Sequence, residues 1–305
     1  MSTGAFAVSA EVATALADRR AVVALESTIF STLGLPSPAN AEALDRCVAA
    51  IRDRDAVPAI TAVVDGVARV GLEPSEHERV LAGTQKVAVR DVPIAVAQGW
   101  AFGATTVSAA LALAARAGVA AFATGGIGGV HRGVETSGDI SADLGALAAY
   151  PVVTVCAGAK AFLDLRRTLE HLETMSVPVL GYRTSELPAF WMRSSGIALR
   201  HRIEDAREAA AVAATAWDLG YRGGVLIAAP IPEADALPPD LIEQAIVDAE
   251  RDAARAGITG HAVTPYVLAR IADATERRTL PANLSLAEHN AWIAAEIAAA
   301  LCELV

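Results

Sequence analysis

Short runs of β-branched and small apolar residues alternate with longer Ala-rich stretches of helical period from Ala21 to Ala229. No other feature restricts the fold as strongly, because strands joined through a helix have the crossover that parallel pairing requires, and a parallel sheet needs helices on both faces. The pattern predicts strands at Ala21–Leu25, Val119–Ala123, Val152–Cys156, Val177–Gly181 and Gly224–Ala229. Between and beside them it predicts helices at Asn40–Arg54, Pro74–Ala82, Thr105–Ala117, Ser141–Ala149, Ala161–Thr174 and Asp205–Leu219. One pair breaks the alternation. Ala59–Val64 and Val67–Gly71 flank Asp65-Gly66, a hairpin signal that adds antiparallel pairing. Arg183–Arg202 reads as an irregular Ser-rich loop, and three helices near Leu237–Ala256, Pro265–Arg277 and Ser285–Leu304 follow. Met1–Arg20 carries an Ala-rich helical pattern. Without a linker, repeat or low-complexity tract to divide it, the chain is expected to form a single three-layer α/β/α domain over residues 1–305, with a mixed, mostly parallel central sheet.

A hydrophobic fraction of 53% with 5% aromatic residues implies a core of Ala, Val, Leu and Ile layers. The net charge of −10 and the lack of a basic block argue against a nucleic-acid surface. The apolar stretch from Val92 to Val130 is interrupted by Gln98, Gly99 and Arg116, short of the roughly 20 residues that span a membrane. The N-terminus contains Glu11 and Asp18 and has no signal-peptide pattern. Cys47, Cys156 and Cys302 are far apart and lack a C-x-x-C spacing, so they are expected to be reduced and the protein cytoplasmic.

Of the 25 cationic residues only Lys86 and Lys160 are lysine. Arginine stays protonated, whereas a desolvated lysine can lose its proton and attack a carbonyl carbon, so Lys160 is the first candidate nucleophile. Random replacement of Lys by Arg would leave the same trace. Three strand ends supply context, since reactive groups in α/β folds gather beyond the carboxyl ends of strands. In Ala24-Leu25-Glu26-Ser27-Thr28 a carboxylate follows an apolar strand directly, where partial burial would raise its pKa and suit it to proton transfer; a capping acid has the same local pattern. In Thr124-Gly125-Gly126-Ile127-Gly128-Gly129-Val130-His131-Arg132 the glycines could turn backbone amides toward an anion, with His131 and Arg132 adding charge, or could form a plain loop. Asp139 and Asp143 stand four apart, on one helical face, as either oxygen ligands for a hard divalent cation or a solvated helix start. In Cys156-Ala157-Gly158-Ala159-Lys160 small residues permit close approach of a substrate to the amine.

Together the Glu26 run, the glycine-rich segment from Phe122 to Arg132, the box Asp139-Ile140-Ser141-Ala142-Asp143-Leu144 and Val155-Cys156-Ala157-Gly158-Ala159-Lys160 resemble the pseudouridine-5′-phosphate glycosidases, also called the indigoidine synthase A-like family. The likeness extends through Thr168–Thr174, Val177-Pro178-Val179, Pro188-Ala189-Phe190 and Ala282-Asn283, nearly the whole chain. It implies an α/β/α homotrimer that binds a divalent cation, typically Mn2+, and a sugar-phosphate substrate. It further implies cleavage of the carbon–carbon bond between ribose and uracil, where protonation of an exocyclic oxygen offers no leaving group. A lysine amine instead bonds to C1′ of the ring-opened ribose, and the resulting iminium can exchange electrons with the breaking bond. On this resemblance Lys160 is the nucleophile, Glu26 the proton donor and Asp139 the metal ligand. Lys86, the Val107 backbone, Ser141, Ala142 and Asp143 meet the substrate, and Thr124, His131 and Asn283 are further phosphate and ribose contacts.

Four places depart from the usual family pattern, one of them the Lys86 segment, which is less basic than the common form. Ser31-Thr32-Leu33-Gly34-Leu35-Pro36 replaces a shorter His-Gly-Met/Leu-Pro, His261 stands where lysine is usual, and His289 precedes Asn290 where a paired asparagine is common. A reshaped segment at Ser31–Pro36 would suit a larger apolar group at C1′. A C-glycosynthase coupling ribose 5-phosphate to an aromatic acceptor is therefore the alternative activity, and a non-catalytic sugar-phosphate-binding protein the alternative of another class.

Overall fold

The computed structural model describes residues 4–258 and 263–304. Its strands are β1 (Phe6–Val8), β2 (Val22–Leu25), β3 (Val57–Val64), β4 (Val67–Val70), β5 (Lys86–Val87), β6 (Phe102–Thr105), β7 (Ala121–Ala123), β8 (Val153–Cys156), β9 (Val179–Tyr182), β10 (His201–Ile203) and β11 (Val225–Ala228). The α-helices are α1 (Ala10–Ala17), α2 (Ala39–Arg52), α3 (His77–Leu81), α4 (Val92–Ala97), α5 (Val107–Ala117), α6 (Val134–Ser137), α7 (Ala142–Ala149), α8 (Leu165–Thr174), α9 (Ala206–Asp218), α10 (Pro239–Arg255), α11 (Val263–Ala274) and α12 (Thr279–Leu304).

The strand order β3-β2-β7-β8-β11-β9-β10 is parallel throughout. Every residue of β2, β7, β8 and β11 is buried, which is why these strands show near-continuous apolar runs, interrupted by Thr154 in β8, instead of alternation. β3 serves two neighbourhoods. Its first half pairs parallel with β2, and its second half lies antiparallel between β4 and β6. The β3–β4 hairpin turns at Asp65 (φ 49°) and Gly66 (φ 72°), the left-handed pair that an Asp-Gly turn supplies. β1 and β5 extend this second region, pairing with β4 and β6.

Helices cover both faces, as expected. α12 packs against α2 and α9 and crosses β2, β7 and β8, burying Leu286, Ile293, Ala294 and Ile297. Each large aliphatic side chain removed from water there contributes roughly 1.5–3 kcal/mol. α5 lies against β2, β3 and α7. Among the described residues no helix is long and apolar enough to cross a membrane. Cys47 and Cys156 are buried, Cys302 is half-buried, and all three are unpaired.

Several local expectations are corrected. Phe6–Val8 is a strand, not the start of a helix, and α1 begins only after Ser9, whose side chain accepts from the Val12 amide. β6 occupies Phe102–Thr105, so α5 starts at Val107 and not at Thr105. Ala161–Leu163 is a turn, because Asp164 caps α8 by accepting from the Arg167 amide. The loop at Arg183–Arg202 contains bridges between Glu186 and Ala198 and between Ala189 and Met192, and its end enters β10. The last helix begins at Thr279, six residues before the predicted Ser285.

Candidate active site

β2, β7 and β8 are adjacent and parallel, so the residues just past their carboxyl ends meet on one side of the sheet. Those residues are Glu26, Thr124 and the turn Ala157–Lys160. Glu26 is buried, and Thr124 Oγ1 lies 2.5 Å from its Oε1 in a side-chain hydrogen bond. A web of hydroxyls holds the chain on either side of the carboxyl. Thr105 Oγ1 donates to Thr61 O (2.7 Å), Thr61 Oγ1 donates to Leu25 O (3.0 Å), and Thr28 Oγ1 donates to Thr105 O (2.6 Å). The turn after β2 is thereby clamped to β3 and β6.

Burial is the main influence on that carboxyl and raises its pKa from 4.5 to about 7. The largest opposing influence is the positive charge of Lys160, followed by the Thr124 hydrogen bond; Asp143 pushes the value up and Lys86 pulls it down. Glu26 is thus divided between its protonated and ionised forms near neutral pH, the condition for a proton donor that must be regenerated.

Lys160 is half-buried at the end of the turn, where its amide donates to Ile127 O (3.1 Å). Gly158 permits that turn with φ 84°, and a Cβ there would come within 2.2 Å of Pro188 O. The Lys160 charge also acts on Lys86 and on His131. Lys86 is exposed, yet enough protein surrounds its ammonium for desolvation to be the leading cause of its lowered pKa, with Lys160 second. For His131 desolvation again lowers the pKa most, and the nearby Asp139 carboxylate partly opposes it. Glu26, Lys86, His131, Asp143 and Lys160 therefore share one electrostatic neighbourhood, although they stand far apart in the chain.

The glycine-rich segment is more occupied by the protein than an anion cradle would be. The amides of Thr124, Ile127, Gly128, Val130 and His131 donate to Val155 O, Gly158 O, Asp143 Oδ2, Thr168 Oγ1 and Asp139 O. Its glycines are required for close packing: a Cβ on Gly126 would lie 2.6 Å from the Phe190 ring, and one on Gly129 2.4 Å from Thr168 Oγ1. Arg132 is exposed and paired with Glu250 of α10 (3.2 Å).

Asp143 is buried, with one carboxylate oxygen accepting from the Ser108 amide (3.0 Å) and the other from Gly128 (2.8 Å). It joins the first turn of α5 to the glycine-rich segment. Val107, at the first position of α5, is buried beside that junction; the first amides of a helix have no intrahelical acceptor. Ser141 caps α7 by accepting from the Asp143 amide, and Ala142 follows half-buried. Asn283, on α12, accepts from Trp191 Nε1 (2.8 Å), and the adjacent Phe190 ring covers Gly126. No hydrogen bond links Asn283 to Glu26 or Lys160 among the described residues. His261 lies outside the described residues.

Asp139 and Asp143 do not act as a pair. Asp139 precedes α7, half-buried, with His131 Nδ1 3.9 Å from its Oδ2. Among the described residues no three His, Cys, Asp or Glu side chains converge as a metal site. One half-buried carboxylate suits a hard divalent ion that keeps most of its water, not a closed protein cage. Arg132 lines two cavities, of about 330 and 310 Å³, and neither is lined by Glu26, Lys86 or Lys160. The second is walled by His131, Phe162 and residues of α10 and α11.

Residues 11–300 match the family described as "Indigoidine synthase A like protein". The chain belongs to that family. Within the indigoidine synthase A-like family it is 50% identical over 301 residues to a protein of Caldanaerobacter subterraneus subsp. tengcongensis named pseudouridine-5′-phosphate glycosidase, covering 97% of each chain. A protein of the same name from Sorangium cellulosum is 51% identical over 300 residues, covering 97% of this chain and 94% of the other. Among solved structures, the prealnumycin C-glycosynthase AlnA in complex with ribulose 5-phosphate superposes with a TM-score of 0.90 at 41% identity, covering 98% of this chain and 97% of that one. An indigoidine synthase A-like protein from Thermotoga maritima superposes at 0.88 with 34% identity, over 97% and 96% of the two chains.

Two features of the site escaped sequence reasoning. The Ser27, Thr61 and Thr105 hydroxyls belong to three separate segments, which the pairing of β3 with β2 and with β6 brings together. Asn290 is fully buried on α12, and its Nδ2 donates to Thr124 O (2.8 Å) and Gly125 O (3.3 Å). An amide within the Ala- and Ile-rich stretch of α12, beside His289, was its visible signal.

Proposed function

We propose that the protein cleaves the carbon–carbon glycosidic bond of pseudouridine 5′-phosphate to give ribose 5-phosphate and uracil, with Lys160 as nucleophile and Glu26 as proton donor. The observation that carries this reading is the buried carboxyl at the end of β2, held at a pKa of about 7 with the Lys160 ammonium as its strongest opposing influence. The names of the relatives at 50% and 51% identity support the same substrate.

Opening the ribose leaves charge on the ring oxygen, and protonated Glu26 supplies the proton. The Lys160 amine, after giving up its own proton, bonds to C1′. As the bond from C1′ to the base breaks, its electron pair leaves with uracil, which takes up a proton, and the C1′–nitrogen bond becomes an iminium. Water then releases ribose 5-phosphate and returns the free amine. Thr124 holds Glu26 on the side of Lys160, and Lys86 offers a cation at the mouth for the phosphate. His131, Ser141, Ala142, Asp143, Asn283 and the Val107 backbone line the approach as further substrate contacts. Asp139 would hold a divalent cation such as Mn2+, which when bound supplies positive charge toward substrate oxygens. The active form is read as a homotrimer, and the whole chain, residues 1–305, as one catalytic domain in the cytoplasm.

Borohydride trapping tests the central step. Reduction in the presence of ribose 5-phosphate should add one sugar mass to Lys160. An unmodified lysine alongside tight sugar-phosphate binding would instead support a non-catalytic binder. The fold shared with AlnA, together with the longer Ser31–Pro36 segment, favours one rival, a C-glycosynthase. Incubation with pseudouridine 5′-phosphate and manganese separates the two, since a synthase would release no ribose 5-phosphate and would couple it to an added aromatic acceptor.

A further inference from the structure

We infer that Asn290 is a positioning residue for the reaction, acting through Thr124 on the protonation of Glu26. Its side chain lies in the middle of α12, fully buried, where neighbours such as Leu286, Ile293 and Ala294 are apolar. Nδ2 reaches two successive carbonyls, Thr124 O at 2.8 Å and Gly125 O at 3.3 Å. The amide group cannot be turned over, since that would set Oδ1 against both carbonyl oxygens. Oδ1 is itself buried without a hydrogen-bond donor. An aliphatic residue would fit α12 without leaving such an acceptor, so packing does not account for an amide here. What the amide does is fix the backbone of Thr124, the residue whose hydroxyl lies 2.5 Å from the Glu26 carboxyl. The chain of contacts is short and continuous: Asn290, the Thr124 carbonyl, the Thr124 hydroxyl, Glu26.

The sign of the effect follows from which form of Glu26 the hydroxyl favours. Donation from Thr124 stabilises the carboxylate and lowers the pKa, as do Lys160 and Lys86, while burial and Asp143 raise it. Freeing the Thr124 backbone weakens the hydrogen bond and leaves those other groups in place. The pKa of Glu26 therefore moves up.

The inference rests on Glu26 as the proton donor, so the test reads the carboxyl directly as well as through turnover. In Asn290→Ala the Glu26 carboxyl, followed by carbon-13 NMR and assigned by its loss in Glu26→Gln, should titrate about 0.5–1 pH unit higher than in the parent protein. The alkaline limb of kcat/KM for pseudouridine 5′-phosphate should move by the same amount. Thr124→Val should raise the titration similarly, and the double variant should fall well short of the sum of the two shifts, because both act through one hydrogen bond. Asn290→Ser, smaller but still a donor, should give a lesser shift of the same sign, and it carries the test if the alanine variant does not fold. An unchanged Glu26 titration in a folded variant, or fully additive shifts, would overturn the positioning role. A raised titration with no matching movement of the kcat/KM limb would leave the positioning intact and overturn instead the role of Glu26 as donor.

Discussion

Replacing Glu26 by Gln should abolish turnover and at the same time stabilise the protein at alkaline pH. Burial holds the native carboxyl at a pKa of about 7, against 4.5 for the ordinary side chain. Below pH 4.5 the carboxyl is protonated in both folded and unfolded chains and costs nothing. As pH rises from there toward 7 the unfolded chain releases the proton while the folded chain retains it, so stability falls. Above 7 the folded chain carries an ionised carboxylate in a buried site, and the penalty is complete. The gap between the two values corresponds to about 3 kcal/mol at full ionisation. Glutamine mimics the protonated acid in size and keeps an oxygen for the Thr124 hydroxyl. The variant should therefore match the parent near pH 4.5 and exceed it by about 3 kcal/mol near pH 8.5. The assay is urea unfolding of both proteins at equal concentration across that range. Other titrating groups are common to the two proteins, so the difference in stability isolates position 26. Parallel curves, with no growth of the difference between pH 5 and 8, would show that the Glu26 carboxyl is not held in the protonated form and would remove the physical basis for its role as proton donor.

Lys160→Arg keeps the charge and much of the stem and removes the nucleophile, so it should fold normally, give no borohydride adduct and show no turnover by uracil release. Asp143→Ala strips the acceptor from the amides of Ser108, buried, and Gly128, half-buried; at about 1–3 kcal/mol for each unsatisfied group, denaturant unfolding should show a loss of roughly 2–6 kcal/mol. Because the Asp143 charge raises the Glu26 pKa, the alkaline limb of kcat/KM should move to lower pH in whatever fraction folds. Gly158→Ala places a Cβ 2.2 Å from a backbone oxygen at φ 84°; a loss above about 2 kcal/mol in thermal or denaturant unfolding is expected, together with reduced trapping at Lys160.

The strands legible in the sequence are those buried on both faces. β2, β7 and β11 show unbroken apolar runs, and β8 one interrupted by Thr154, because no residue in them meets water. β1, β5, β6 and β10 have two to four residues each and include Lys86, Gly103, His201 and Arg202. Such segments are extended because a neighbour pairs with them, not through their own composition, so pattern reading passes over them. The hairpin at Asp65-Gly66 was legible for the opposite reason: its left-handed backbone demands particular residues and leaves a local mark. The false helix starts at Thr105 and Ala161 share one cause. Both stretches have good helical composition up to the boundary, but β6 claims Thr105 by pairing and Asp164 caps α8 further on.

The same division runs through the site. Glu26 was visible because it follows an apolar strand at once, and Lys160 because it ends the small-residue turn after one; chemistry marks both by type. Thr124 was visible only as part of a glycine-rich loop, and its work on Glu26 depends on β7 lying beside β2, ninety-odd residues away. Asp143 read as half of an acidic pair, yet Asp139 faces His131 while Asp143 ties α5 to the glycine-rich segment. Each such role is a relation between strand ends, and local composition does not encode strand order. The order β3-β2-β7-β8 does. After β2 the chain leaves to one side to build β3, and it returns to the other side to build β7 and β8, which opens a crevice at the carboxyl end of β2. Into that crevice come a carboxyl from the first strand, a hydroxyl from the second and an amine from the third. The acid and the nucleophile are thus neighbours because the sheet changes winding direction at β2, and any sequence that kept both residues but lost that reversal would carry the motifs without the site.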